Sequence, residues 1–372
     1  MGTKTGISWT DATWNPIRGC SRVSEGCRNC YAEHIAYRFS GAGKPFEGLV
    51  QLDMHKSGMI VRVPKWNGKI KFVEEHLLDP LKWKKPRRIF VNSMSDLFHE
   101  NVTDEMRDKI FAVMALCPQH TFQVLTKRPE RMLEYLKDND RYTARRVFDA
   151  AEAIDPENGY RFDVDIYWPL SNVHLGVSVE DQKTADARIP LLLQTPAAVR
   201  FISAEPLLEP VDLTELVVNR DGASLNALRA NDVPPGDLAT VLDWVIVGGE
   251  SGPGARPMHP DWARSLRDQC KAAGVPFFFK QWGEWLPGQN DRYPHFEDTR
   301  FVAHHQDESW GLKESRPSGY VMWDEQGVLH PGGSRSYENH FPVHRWATRV
   351  GTKAAGCLLD GVEHHEFPAV LA

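Results

Sequence analysis

Three cysteines, Cys20, Cys27 and Cys30, lie within eleven residues in the pattern Cys-x6-Cys-x2-Cys. The local loop carries Gly19, just before them, and Ser21, Ser24 and Gly26 between them, and such residues let a backbone wrap around a centre. Three thiolates are one short of the closed tetrahedral set of a structural zinc site. They suffice to hold three irons of a four-iron cluster and leave the fourth iron open to an outside ligand. His34 completes a Cys3His set if the metal is zinc. Iron–sulfur ranks first among these readings, zinc second, and a purely structural thiol trio third. Cys117 follows Met106, Ile110, Val113 and Met114, and Cys270 follows Trp262 and Leu266, so both read as core thiols at helical spacing. Cys357 has no functional case.

Other polar residues matter for where they fall. Apolar runs at residues 88–91, 121–125, 173–177, 199–202, 244–247 and 276–279 read as strands, each ending in polar or glycine-rich sequence. An earlier strand is expected at residues 6–9, ahead of the cysteine loop. The strand ends carry Asn92, Ser93 and Asp96, then Thr126, Lys127 and Arg128, then Ser178 and Glu180, then Glu205, Glu250, Lys280 and Gln281. Helical patterns fill the gaps. Thr103 is the expected N-cap of one helix, Pro129 opens the next, and another runs from Pro260 to Gly274. Strand alternating with helix implies parallel strands with right-handed crossovers, buried on both faces. Chemistry in such folds sits at the C-terminal strand ends, so these polar residues are expected to converge on one mouth.

The expected body is a decorated barrel over residues 1–285, interrupted by surface excursions at 138–170 and 211–240. Residues 286–372 lack the strand–helix period and read as an appendage or lid, with a hairpin from Tyr320 to Leu329 turning at residues 324–327. The chain has 372 residues, 50 acidic and 44 basic, and a formal charge of −6 with 41% hydrophobic residues. That composition excludes a disordered chain. No run approaches the ~20 apolar residues of a membrane helix, and the N-terminus has no apolar signal core or myristoylation pattern, so a soluble cytoplasmic protein is expected. The charge does not by itself indicate nucleic acid. The basic run Lys82, Lys84, Lys85, Arg87 and Arg88 reads as a solvated approach to a strand, or as a phosphate-contacting patch.

Gly248-Gly249-Glu250-Ser251-Gly252 matches neither a Walker loop nor a dinucleotide fingerprint. His304-His305 and His364-His365 read as solvated pairs. Glu205 before Pro206 is a candidate general base. Trp282 and Trp285 either stack a base or pack beneath the rim.

A three-cysteine loop after the first strand of a partial (β/α) barrel resembles the radical S-adenosylmethionine (radical SAM) superfamily. The superfamily's usual first gap is three residues where this chain has six; the second gap is the same. A closer resemblance spans nearly the whole chain. Trp9-Thr10-Asp11-Ala12-Thr13-Trp14-Asn15-Pro16, Gly248-Gly249-Glu250-Ser251-Gly252, Phe279-Lys280-Gln281-Trp282-Gly283-Glu284-Trp285 and Ala354-Ala355-Gly356-Cys357-Leu358-Leu359-Asp360-Gly361 look like an uncharacterised phage and bacterial three-cysteine-motif family. Members of that family are often accompanied by a three-Cys-motif partner protein.

The resemblance implies an α/β fold of the radical SAM partial-barrel type. It implies a [4Fe-4S] cluster on Cys20, Cys27 and Cys30, whose open iron binds S-adenosylmethionine; electron transfer to that cofactor yields a 5′-deoxyadenosyl radical. By position, Asn92, Ser93 and Asp96 would meet the methionine amino group, although the superfamily's Gly-Gly-Glu is absent there. Ser178 and Glu180 would hold the ribose. Lys127, Arg128 and Lys280 would neutralise an anionic nucleotide or nucleic-acid substrate, and the catalytic candidates are Lys127, Glu205, Glu250 and Lys280. The alternative is a zinc-binding accessory or nucleic-acid-binding protein using Cys20, Cys27, Cys30 and His34.

Overall fold

A computed structural model describes residues 5–57, 59–137, 142–159, 168–218, 224–229, 240–288, 320–323, 329–331 and 345–369. Seven strands form one parallel sheet: β1 (Ala12–Trp14), β2 (Arg88–Val91), β3 (Thr121–Thr126), β4 (Val173–Ser178), β5 (Val199–Ala204), β6 (Trp244–Gly248) and β7 (Phe277–Gln281). Their order in the sheet is their order in the chain. Every crossover therefore steps the same way, as in a barrel, and no strand order reverses as it would in a doubly wound sheet. β1 and β7 do not pair, so the sheet is a curled half-barrel, open on one side.

Strand alternation separates two apolar faces. One carries Ile89, Val91, Val124, Leu175, Val177, Ile202, Val245, Val247, Phe277 and Phe279, covered by helices. These are α2 (Asp104–Ala115), α3 (Pro129–Leu136), α4 (Tyr142–Ile154), α5 (Gln182–Gln194) and α6 (Pro260–Ala273); α1 (Tyr31–Arg38) belongs to the cysteine region. The other face carries Phe90, Phe201, Trp244, Ile246 and Phe278, plugged by Trp9. Phe201 lies flat over Gly176, where a Cβ would come within 2.6 Å of its ring. The helix ends follow the sequence. The Thr103 hydroxyl accepts from the Met106 amide, Pro129 opens α3, and Gly274 closes α6 at φ +73°. Cys117 and Cys270 are buried core thiols.

The first strand departs from expectation. Residues 6–9 do not pair; β1 begins at Ala12, opposite Ile89. Ile7 and Trp9 are sheltered because they plug the end of the half-barrel, with the Trp9 ring 4.8 Å from Phe90. Their burial imitates a strand pattern without a ladder. Residues 142–154, expected within a surface excursion, form α4, which buries Val147, Phe148 and Ala151 in the main core. Two short strands, Leu216–Val217 and Ser224–Leu225, pair within the second insertion.

Beyond β7 the chain builds a separate four-stranded antiparallel sheet from Trp285–Pro287, Arg345–Arg349, Tyr320–Trp323 and Leu329–Pro331. The expected hairpin pairs Val321 with Pro331; its turn lies outside the described residues. The final segment returns to the edge of β7, where the Phe279 amide donates to the His364 carbonyl. His365 stacks on Phe278 at 4.6 Å, so this histidine is packed on one face. His304 and His305 lie outside the described residues. Along the basic run, Lys82 pairs with Asp79, Arg88 pairs with Asp11, and Arg87 covers the Trp83 ring. Among the described residues, no helix is long and apolar enough to cross a membrane.

Candidate functional site at the mouth of the half-barrel

Between β1 and β2 the chain leaves the sheet and folds a small lobe. Ile17–Arg18 pairs with Lys71–Phe72, and Val50–Ser57 forms a hairpin with Met59–Trp66. Ala32, Ala36, Phe46, Leu49, Trp66 and Met94 make its core, with Cys20 and Cys30 packed against them. Glu33, 1% exposed, is held by Arg22 and by the Trp66 amide. The cysteine loop is the part of this lobe that faces the sheet.

That loop is tied to four strand ends. After β2, the Gly19 amide donates to the Met94 carbonyl at 3.2 Å, and Tyr31 donates its phenol to the Ser93 carbonyl at 3.0 Å. After β3, Arg128 donates to the Ser21 hydroxyl at 2.7 Å and to its carbonyl at 3.1 Å. After β4, Glu180 accepts from Ser24 at 3.0 Å. After β6, Asn29 donates to Glu250 at 2.9 Å and to the Gly254 carbonyl at 2.8 Å. Gly26 is required here, because a Cβ would overlap the Glu180 carboxylate.

The acidic strand-end residues divide into anchors and accessible groups. Asp96 accepts from Thr126 at 2.7 Å, the Lys127 amide at 3.1 Å, the Phe98 amide at 2.9 Å and Arg128 at 3.0 Å. Glu180 is fully buried; desolvation opposes its charge, yet Lys127 and Arg188 hold the carboxyl below its usual range. Glu250 is gripped by Arg256 at 2.6 and 2.9 Å. Asn92 adopts φ +60°, and its amide oxygen accepts from Ile17 at 3.4 Å while its amide nitrogen stays buried without a partner. The Ser93 hydroxyl donates to Asn15 at 3.2 Å, and Ser178 is buried on the strand itself.

A second cluster is more open. Lys280 donates to Glu205 at 2.6 Å, and Gln281 bridges Glu205 at 3.2 Å to Ser251 at 2.9 Å. Tyr31, 47% exposed, lies within electrostatic reach of both Glu205 and Cys30. Lys127, Arg128 and Lys280, expected to face an anion, are all paired internally. Trp282 and Trp285 are buried, donating to the Leu358 and Ala255 carbonyls, so they pack the core rather than offering a stacking face.

All six cysteines are free. Burial pushes the Cys20 thiol up to about 12 and the Cys30 thiol up to about 11, and each also feels the charge of Cys27. Arg128 sits 4.0 Å from the Cys20 sulfur. Among the described residues, no three His, Cys, Asp or Glu side chains stand in ligand geometry, the cysteines included. The donor chemistry still suits a thiolate-bound centre: three half-buried thiols from one loop, with a guanidinium beside Cys20 to offset negative charge. His34 lies one turn along α1 from Cys30 and makes no hydrogen bond to the loop among the described residues.

The family model for "Protein of unknown function (DUF5131)" matches residues 4–368. The chain belongs to that family. No curated protein and no solved structure matches it. Ser24, Asn29, Arg188 and Arg256 carry the ties of the mouth, and no sequence motif marks them. A cavity of about 350 Å³ lies elsewhere, between α2, α3 and α4. Its Arg107 and Arg146 already pair with Asp104 and Asp108, and it contains none of the cysteines.

Proposed function

We propose that this chain is a cytoplasmic radical SAM iron–sulfur enzyme acting on a nucleotide or nucleic-acid substrate. The observation that carries the proposal is the cysteine loop tied across the C-terminal ends of β2, β3, β4 and β6. Reactive groups in parallel barrels gather at that end of the sheet. The resemblance to phage and bacterial three-cysteine-motif proteins supports the same reading and adds a three-Cys-motif protein as partner.

Cys20, Cys27 and Cys30 would hold the [4Fe-4S] cluster, which when bound supplies one electron for reductive cleavage of S-adenosylmethionine. The chain's own residues do the rest. Arg128 offsets the negative charge of the thiolates from beside Cys20. Asp96, Glu180 and Glu250 keep the loop in place, leaving Ser93 as the half-buried group of this set that would meet the cofactor. Glu205, with its charge balanced by Lys280, is placed to move a proton at the open side of the mouth. The aromatic plug of Trp9, Phe201 and Trp244 keeps water out from the opposite end.

Full chain purified without oxygen and given a strong reductant should convert S-adenosylmethionine to methionine and 5′-deoxyadenosine. Cleavage undiminished in Cys27→Ala would refute the assignment.

A further inference from the structure

We infer that the lobe between β1 and β2 is a binding surface for a single-stranded nucleic acid, which it leads toward the mouth. This names the substrate class of the proposed site, and it rests on that reading only for where the strand is delivered.

The first observation is charge. Residues 17–72 contain ten Lys and Arg against four Asp and Glu, a net of +6 inside a chain of −6. The lobe is a packed unit with its own apolar core, so this charge is concentrated in space. Its acids are largely spent. Glu33 is buried against Arg22, Asp53 pairs with Lys65, and Glu25 pairs with Arg28 and Arg256. Exposed Arg38, Lys44, Lys69 and Lys71 make no ion pair among the described residues. A clustered basic patch on a mildly acidic protein is the electrostatic footprint of a phosphate backbone.

The second observation is the exposed face of α1. Ala32 and Ala36 face the lobe core, while Tyr31, Ile35 and Phe39 recur at helical spacing on the outside with exposures of 47%, 37% and 42%. Tyr37 adds a further ring at 46%. Aromatic faces interleaved with cations are what unpaired bases and their phosphates require. A duplex would hide its base faces from such rings.

The third observation is continuity. The Phe46 amide donates to the Phe39 carbonyl, which brings Lys44 beside the aromatic stripe. Arg18 is buried over the Phe46 ring and donates to the Pro45 carbonyl at 3.4 Å, and exposed Lys71 stands opposite Arg18 in the ladder. At the other end, Tyr31 reaches Ser93 and the charge of Glu205. Exposed cations and rings thus share this lobe, and its aromatic face meets the mouth at Tyr31.

The test is fluorescence anisotropy of a labelled single-stranded 20-mer, about that length, with full chain prepared with and without oxygen. Binding should weaken from 50 to 200 mM salt (about those values), with a log–log slope near −3 for roughly four phosphate contacts. The triple variant Lys44→Glu, Lys69→Glu, Lys71→Glu should lose at least about tenfold in affinity and flatten that slope. The double variant Tyr37→Ala, Phe39→Ala should lose at least about fivefold with the slope unchanged. All these positions are exposed, and circular dichroism of each variant confirms the fold. Absent binding at low salt, or equal binding by the charge-reversed variant, would overturn the inference and leave this face to a protein partner. Equal affinity for a duplex with no aromatic effect would overturn it too. Iron content is measured on the same samples, so strand binding by iron-free protein would sustain this inference while refuting the enzymatic reading.

Discussion

The hydroxyl of Ser24 donates to the carboxylate of Glu180 at 3.0 Å, joining the cysteine loop to the end of β4. Glu180 also takes Lys127 and Arg188, both less than one-fifth exposed. Removing this acid strands two sheltered cations. Glu180→Ala is expected to lower unfolding stability by roughly 3–5 kcal/mol. Urea denaturation followed by circular dichroism checks this, and a midpoint equal to the parent's would contradict it.

Gly26 faces the same carboxylate with no room for a side chain. Gly26→Ala must push either the loop or Glu180 aside. A cost of about 1–3 kcal/mol is expected, with faster reaction of Cys20 and Cys30 toward a thiol reagent. Unchanged thiol kinetics would show that the loop is not held there.

Glu205→Gln keeps the hydrogen-bonding shape toward Lys280 and Gln281 but removes the charge. The variant is expected to retain iron while losing at least about a hundredfold in turnover of the nucleic-acid substrate, the lower range of general acid–base effects. Parent-like turnover would remove Glu205 from the chemistry.

His174 tests the sheet rather than the mouth. Burial pushes its pKa down to about 4 from the usual 6.5, and its Nδ1 has no partner. The unfolded chain therefore binds the proton first as pH falls. The stability this neutral histidine allows is complete above 6.5 and is lost between 6.5 and about 4, by up to roughly 3 kcal/mol. In urea titrations across that window, His174→Gln should show a shallower acid limb. Parallel limbs for the two proteins would contradict the assignment.

The β2 to β7 run was legible because near-continuous apolar strands between capped helices leave one reading, and Thr103, Pro129 and Gly274 mark the helix ends by local chemistry alone. β1 was misplaced because Trp9 is buried by packing on Phe90 and Phe201 rather than by pairing. The lobe hairpin, Val50–Ser57 with Met59–Trp66, was not anticipated: Lys and Arg dilute the alternation of its sequence. At the site, convergence of the strand ends followed from topology. The division into saturated anchors and accessible groups did not, since Asp96 and Glu205 look alike until Arg128 and Lys280 are placed beside them.

Metal and sulfide content tests the central claim most directly. Full chain purified without oxygen is predicted to carry about four irons with matching acid-labile sulfide, lost in Cys27→Ala and kept in Cys270→Ala. One zinc per chain with no sulfide would contradict it.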